Sequence, residues 1–165
     1  LDRLSRSVKK TIRRAQRNGI TVTKEYDPDT FWELLQSTFD KQSIEPPFEK
    51  EHLFALMKFL FQNDLGEMWV ARTPSGEAAS TVFNVHDMYI AHGWQGANDP
   101  RLKYTGATSL LLFEVFMNLQ KRGFRCFNLM AANTPHLAKF YSSFNPRLVP
   151  YFSVEKTDRK NILLL

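Results

Sequence analysis

Apolar residues recur along this chain with two different periods. Leu4, Val8, Ile12 and Ala15 form a narrow stripe on one helix, and Asn18-Gly19 ends it, with Gly19 free to take the left-handed cap conformation. The β-branched run ITVTKEY (20–26) predicts a strand, closed by DPDT. Phe31, Leu34, Leu35, Thr38 and Phe39 share one helical face, and Leu53, Leu56, Met57, Leu60 and Phe61 share another. The stretch from Ile44 to Phe48, with Pro46-Pro47, separates those two helices. EMWVART, a PSGE turn, AASTVFNV and, after His86-Asp87, MYIAHGWQ predict a three-strand antiparallel meander. A long helix follows from Ala107 to Arg122, stopped by Gly123, and then the strand FRCFNLM. Thr134-Pro135 opens a short helix, with a hydroxyl for the orphan amides and a fixed φ for the first turn. Leu137, Phe140, Tyr141 and Phe144 fall at i, i+3, i+4 and i+7 of that helix. A last strand, RLVPYFSVE, closes the series, which contains no internal repeat and no disordered linker.

This is a mixed α/β order, and 165 residues that are 43% hydrophobic, with 14 Phe, suffice for one core and one domain. With only 7 Gly and 8 Pro the chain is neither fibrous nor of low complexity. Cys126 is the lone cysteine, so no internal disulfide forms, and no Cys/His cluster has metal-ligand spacing. No signal peptide is visible, and the apolar runs fall far short of the ~20 residues a bilayer requires. These features point to a soluble, cytoplasmic domain. A start at Leu1 rather than Met suggests a piece of something longer.

Charge changes this picture in one place. Residues 1–24 carry Arg3, Arg6, Lys9, Lys10, Arg13, Arg14, Arg17 and Lys24 against Asp2 alone, whereas the remainder is slightly acidic and the whole chain is +5. The first helix is therefore either a solvated helix resting its stripe on the domain or a surface for something anionic: RNA, a nucleotide tail or lipid headgroups at a membrane periphery. Spacing does not choose among them.

The element order, first strand included, is that of the GNAT (acyl-CoA N-acyltransferase-like) fold, an α+β mixed sheet. The run SLLLFEVFMNLQKRGFRCFNLM, followed by PHLAKFYSSFNPRLVPYF, resembles the C-terminal half of the BioF2-like and Fem-type branch of that superfamily. The opening SVKKTIRRAQRNGITV resembles the basic helix that leads into such domains. The resemblance implies a lead-in helix over 1–19 and an acyltransferase domain over 20–165, the latter as the C-terminal half of a two-domain chain. It also implies an acyl-CoA such as acetyl-CoA as donor, an amine as acceptor, either small or peptidyl, and no metal. Fem-type members build peptidoglycan bridges, so an aminoacyl-tRNA donor is the alternative, and a catalytically silent packing module is a third reading.

The resemblance also assigns roles. The strand MYIAHGWQ is expected to splay from FRCFNLM and offer bare amides around Gln95 and Gly96 to a donor carbonyl. The family's phosphate-binding loop signature matches best at Lys103-Tyr104-Thr105-Gly106-Ala107-Thr108, with Lys in its first place and Thr in its last. An ordinary glycine before a helix reads the same way. Tyr141 stands where many GNAT enzymes protonate a departing thiolate, with Asn133 and Phe144 accompanying it; its plain alternative is a core-edge tyrosine bonded to backbone. Fem-type members place a lysine at that position, so tyrosine leans toward a thioester donor. His92 has the ordinary pKa for taking a proton from an ammonium. Glu114 is the only acid between Leu110 and Leu119 and, if buried, needs a partner or a raised pKa. Trp94 and Tyr89 are candidates to line an acceptor groove, and Met88, Ile90, His92 and Trp94 are expected on one face of their strand. Asn128 stands where relatives often carry Asp, and Cys126, within an apolar strand, has nothing nearby to activate it.

Overall fold

A computed structural model describes residues 4–41, 43–152 and 154. Its elements are α1 (Arg6–Arg17), β1 (Thr21–Lys24), α2 (Pro28–Asp40), α3 (Lys50–Gln62), β2 (Gly66–Arg72), β3 (Ala78–His86), β4 (Ile90–Asn98), α4 (Ala107–Lys121), β5 (Cys126–Asn128) and α5 (Pro135–Ser142), with a 3-10 turn at Pro100–Thr105. The strands form one sheet in the order β1-β2-β3-β4-β5. Neighbours are antiparallel except β4 and β5, which are parallel.

Strand alternation sends the apolar residues of this sheet to two cores. Met68 and Val70 of β2 face α2 and α3, where Phe31, Leu34, Leu35, Leu53 and Met57 are buried with Phe83. Trp69 and Ala71 face the other way, onto α1 and α4, among Val8, Ile12, Ala15, Leu111, Val115 and Leu119. The stripe expected on the first helix is thus the side that packs. Ser5 caps α1 by accepting from Val8 N at 3.3 Å, and Gly19 follows it at φ +70°. On α3 the expected face is only partly covered, since Leu56 and Phe61 stay exposed.

The α1/α4 side also buries charge. Glu67 is fully enclosed, 2.8 Å from Lys24 Nζ and 2.5 Å from Arg122 Nη1, and it accepts from Trp69 Nε1 at 3.0 Å. Burial on its own would raise this carboxyl, but the hydrogen bonds from Lys24, Trp69 and Arg122 together hold it below the ordinary range.

Four expectations fail. Met88 and Tyr89 lie in the turn before β4, where Asp87 Oδ1 accepts from the Tyr89 and Ile90 amides at 2.6 and 2.7 Å, so they do not share a strand face with His92. β5 is three residues long rather than seven, and Cys126 at its start is exposed. No strand forms over 146–152, where Leu148, Val149, Tyr151 and Phe152 are exposed; Ser153 and residues from 155 onward of that expected strand lie outside the described residues. Finally, Thr134 begins α5 with its carbonyl, which accepts from Ala138 N at 2.8 Å, and its hydroxyl makes no cap.

Candidate active site

The short β5 makes the site. β4 and β5 pair at Ile90↔Cys126, Ala91↔Phe127 and His92↔Asn128, and then separate. Two local devices cause the parting. On β5, Asn128 Oδ1 accepts from Met130 N at 2.9 Å and Met130 adopts φ +60°, which turns the chain out of the sheet. On β4, Phe83 stands opposite Gln95 and Asn84 opposite Gly93, so Trp94 is an extra residue in a bulge that bends the strand. The Trp94 ring is held between Phe83 and Phe48, at centroid distances of 5.9 and 6.3 Å. From Gly93 to Asn98 the edge of β4 that would face β5 therefore has no ladder partner.

This opening is the floor of a cleft of about 640 Å³. Gly93–Asn98 form one lip and Leu129–Ala131 the other, while α5 contributes His136, Leu137, Phe140 and Tyr141. The N-terminal end of α4 brings Gly106, Thr108 and Ser109, with Lys103 before it, and Ser7, Val8 and Thr11 of α1 complete the wall.

Tyr141 is half-buried on the cleft, its ring packed 5.4 Å from that of Phe140. Among the described residues its hydroxyl has no hydrogen-bond partner, so it is not the backbone-bonded tyrosine of the plain alternative. Burial pushes the phenol up from its ordinary value, so it holds its proton throughout the neutral range and is a donor by default.

The cleft gathers some of the expected residues and leaves others out. Tyr141, Trp94, Gln95, Gly96, Lys103, Gly106 and Thr108 line it. Tyr89 does not: it stands at the far end of β4, exposed, with the Arg125 guanidinium 4.6 Å from its ring centroid. Tyr104 is 73% exposed and stacks under Lys103. Thr105 turns inward, accepting from Ala107 N at 3.2 Å and donating to the Leu102 carbonyl at 2.7 Å, and Ala107 is buried. Asn133 sits in the loop before α5, where its amide donates to the Tyr151 hydroxyl. His92 is at the vertex of the two strands, its Nδ1 3.4 Å from Asn128 Nδ2. Glu114 is half-buried on α4 and makes no ion pair among the described residues, so it is not an enclosed carboxylate. No cluster of three or more His, Cys, Asp or Glu among the described residues is arranged to hold a metal ion.

Sequence reasoning missed the α1 residues Ser7, Val8 and Thr11, and it missed Asn128 as the residue that ends β5. Both carried a faint signal: hydroxyls at i and i+4 on an otherwise basic helix, and an Asn two residues before a break in an apolar run.

Known proteins bear on this geometry as follows. No curated protein matches the chain in sequence. Among solved structures, FemX superposes with a TM-score of 0.74 at 10% identity, over 87% of this chain and 54% of its own. This chain thus spans about half the length of FemX. A possible acetyltransferase from Clostridium difficile 630 superposes at 0.67 and 13% identity, over 84% of this chain and 97% of its own. AAC(6')-Iy, solved in complex with the bisubstrate analog CoA-S-monomethyl-acetylneamine, superposes at 0.67 and 10% identity, over 84% and 98%. At such identities the likeness is one of fold, and the mixed sheet with its flanking helices is the fold of these acetyltransferases. The sequence profile described as "Acetyltransferase (GNAT) domain" matches residues 3–137. The chain therefore belongs to the GNAT acetyltransferase domain family, and its parted strands, with a phenol beside them, are placed for N-acyl transfer.

Proposed function

We propose that this enzyme transfers an acyl group from an acyl-CoA thioester to a primary amine, by direct attack within a ternary complex. The observation that carries the reading is the bare β4 edge beyond His92 with the unpartnered Tyr141 hydroxyl on the same cleft. The lining suits such a donor: Val82, Leu111, Leu112 and Leu129 supply apolar walls for an extended arm, while Lys103 and Thr108 stand nearer the polar end. Backbone amides of Trp94–Gly96 polarise the thioester carbonyl, in the manner of an oxyanion hole. The amine, having lost a proton to His92 or through water, forms the new C–N bond as the C–S bond breaks. Tyr141 gives its proton to the departing sulfur, and the remaining amine proton restores the phenol through solvent. Small and peptidyl amines are the acceptor classes in question; the neighbour AAC(6')-Iy was solved with an acetylneamine conjugate.

The test is Tyr141→Phe. Loss of a positioned acid lowers kcat by about 10²-fold or more, while the ring packing against Phe140 and the melting temperature are kept. Unchanged turnover removes the proton-donor role.

A second reading, aminoacyl transfer from tRNA by a chain that works beside a further domain, draws support from the likeness to FemX and the cations of α1. It expects binding of aminoacyl-tRNA with a steep salt dependence, and no thermal shift with CoA or acetyl-CoA at saturating concentration.

A further inference from the structure

α1 is a wall of the cleft as well as a lead-in to the domain, and it is pinned at both sides of the opening. Its first turn is tied to the end of α5, where Ser5 N donates to the Ser143 carbonyl at 2.9 Å. Its middle turn lies on the loop before α4. A Cβ at Gly106 would stand 2.9 Å from both Thr11 Cγ2 and the Thr11 carbonyl oxygen, and 3.4 Å from the Ala15 methyl. The close approach that Gly106 permits is therefore an approach by α1.

That loop is also closed on itself. Ala107 N is engaged by Thr105 Oγ1, and the Gly106 carbonyl accepts from Ser109 N and Leu110 N at 3.1 Å each. Arg101 is held by Asp99, with Nη2 2.6 Å from the carboxylate, which leaves Lys103 as the loop's cation on the cleft. An anionic handle on the donor needs more positive charge than this loop offers.

The helix surface supplies it. Residues three and four apart are neighbours on a helix, so Ser7, Lys10, Thr11 and Arg14 form one patch. Ser7 and Thr11 are on the cleft, and Lys10 and Arg14 stand beside them toward solvent. The Thr11 hydroxyl is already spent on the Ser7 carbonyl at 3.1 Å, so the cations carry the recognition. Lys10 and Arg14 are exposed, and neither makes an ion pair among the described residues. A stretch of exposed cations that pairs with no carboxylate is either an idle, self-repelling surface or one half of an interaction.

We propose that α1 is the phosphate-binding element of the donor site: Lys10 and Arg14, with Lys103 across the cleft, hold the phosphate groups of the acyl-CoA donor in place of the backbone loop at Gly106. The inference rests on the thioester reading above. It makes the first helix part of the enzyme's substrate recognition, and it separates the two ends of the donor, with charge read at α1 and chemistry done at β4 and Tyr141.

Steady-state kinetics with two donors test it: acetyl-CoA, and acetyl-pantetheine, which carries the same thioester without phosphate. In Lys10→Ala/Arg14→Ala, KM for acetyl-CoA should rise about five- to thirty-fold at low salt, as expected for two partly screened charge contacts. kcat should hold, KM for acetyl-pantetheine should hold, and the difference between the enzymes should shrink as salt shortens the screening length. Arg13→Ala/Arg17→Ala, on the outward face of the same helix, should leave both donors as in the wild type. An unchanged KM for acetyl-CoA in the first variant overturns the proposal, as does an equal rise for both donors or an equal effect of the outer pair. Should the first variant lose affinity for an RNA stem while its acetyl-CoA kinetics stay put, the helix serves RNA and the proposal falls. Wild-type enzyme that turns over neither donor sinks the thioester reading itself, a result distinct from all of these.

Discussion

Gly106→Ala separates what the glycine before α4 does for the fold from what it does for a ligand. Gly106 sits at φ +85°, where a side chain costs about 1–2 kcal/mol through the contact between Cβ and backbone. A methyl group there would also meet the Thr11 carbonyl oxygen at 2.9 Å. That oxygen belongs to the body of a helix, so it cannot swing aside as the end of a side chain would, and such overpacking costs about a further 1–3 kcal/mol. Gly76 is the natural control, because it has φ +89° and open space around its missing Cβ. Gly76→Ala should cost only the conformational penalty of about 1–2 kcal/mol, and Gly106→Ala about 2–5 kcal/mol in total. Urea unfolding without any donor present reads both, as a fall in the midpoint at constant slope. The excess of Gly106→Ala over Gly76→Ala isolates the seating of α1 on the loop. An excess below about 0.5 kcal/mol, within the scatter of ordinary surface substitutions, would mean that α1 does not rest there, and the helix would then cease to be a wall of the cleft.

Two further perturbations address the buried polar groups. Glu67→Gln keeps the acceptor for Trp69 Nε1 but leaves Lys24 and Arg122 without their carboxylate, at a cost of about 1–3 kcal/mol at neutral pH. Because the folded carboxyl titrates below its ordinary value of about 4.3, its contribution is present above that pH and is lost as pH falls through the folded value. Unfolding curves measured below pH 4 should therefore converge for wild type and variant, and a gap that persists unchanged into acid would refute the linkage. Asn84 is fully buried on β3, with neither amide atom bonded among the described residues. Replacing it by the similarly shaped Leu should be neutral or stabilise by about 1 kcal/mol, and a loss larger than that in a thermal melt would show that a partner such as an internal water satisfies the amide.

Much of this molecule was legible in the order of its residues. The two periods of the apolar pattern place every helix, the three strands of the meander and the basic helix with its packed stripe, because burial of one helical stripe or one strand face is a local property of spacing. The element order carries the fold, and the resemblance to GNAT domains led to Tyr141, Trp94, Gln95, Gly96, Lys103, Gly106 and Thr108, which the structure does bring to one cleft. Tyr89, Asn133, Tyr104 and Thr105 were chosen by nearness in sequence to those positions, and nearness in sequence says nothing about which way a turn aims its side chains.

What only the tertiary structure decided lies where separate segments meet. The length of β5 depends on the Asn128 side chain capturing the Met130 amide and turning the chain out of the sheet, although the apolar run FRCFNLM alone reads as a longer strand. The bulge at Trp94 exists only as a register between β3 and β4, which no single strand contains. The position of α1 over Gly106 joins residues nearly a hundred apart in the chain, through a methyl group that a glycine does not have. Patterning settles which surfaces an element must bury. The cleft is made by where those buried surfaces stop matching, and that mismatch is a property of packed pairs.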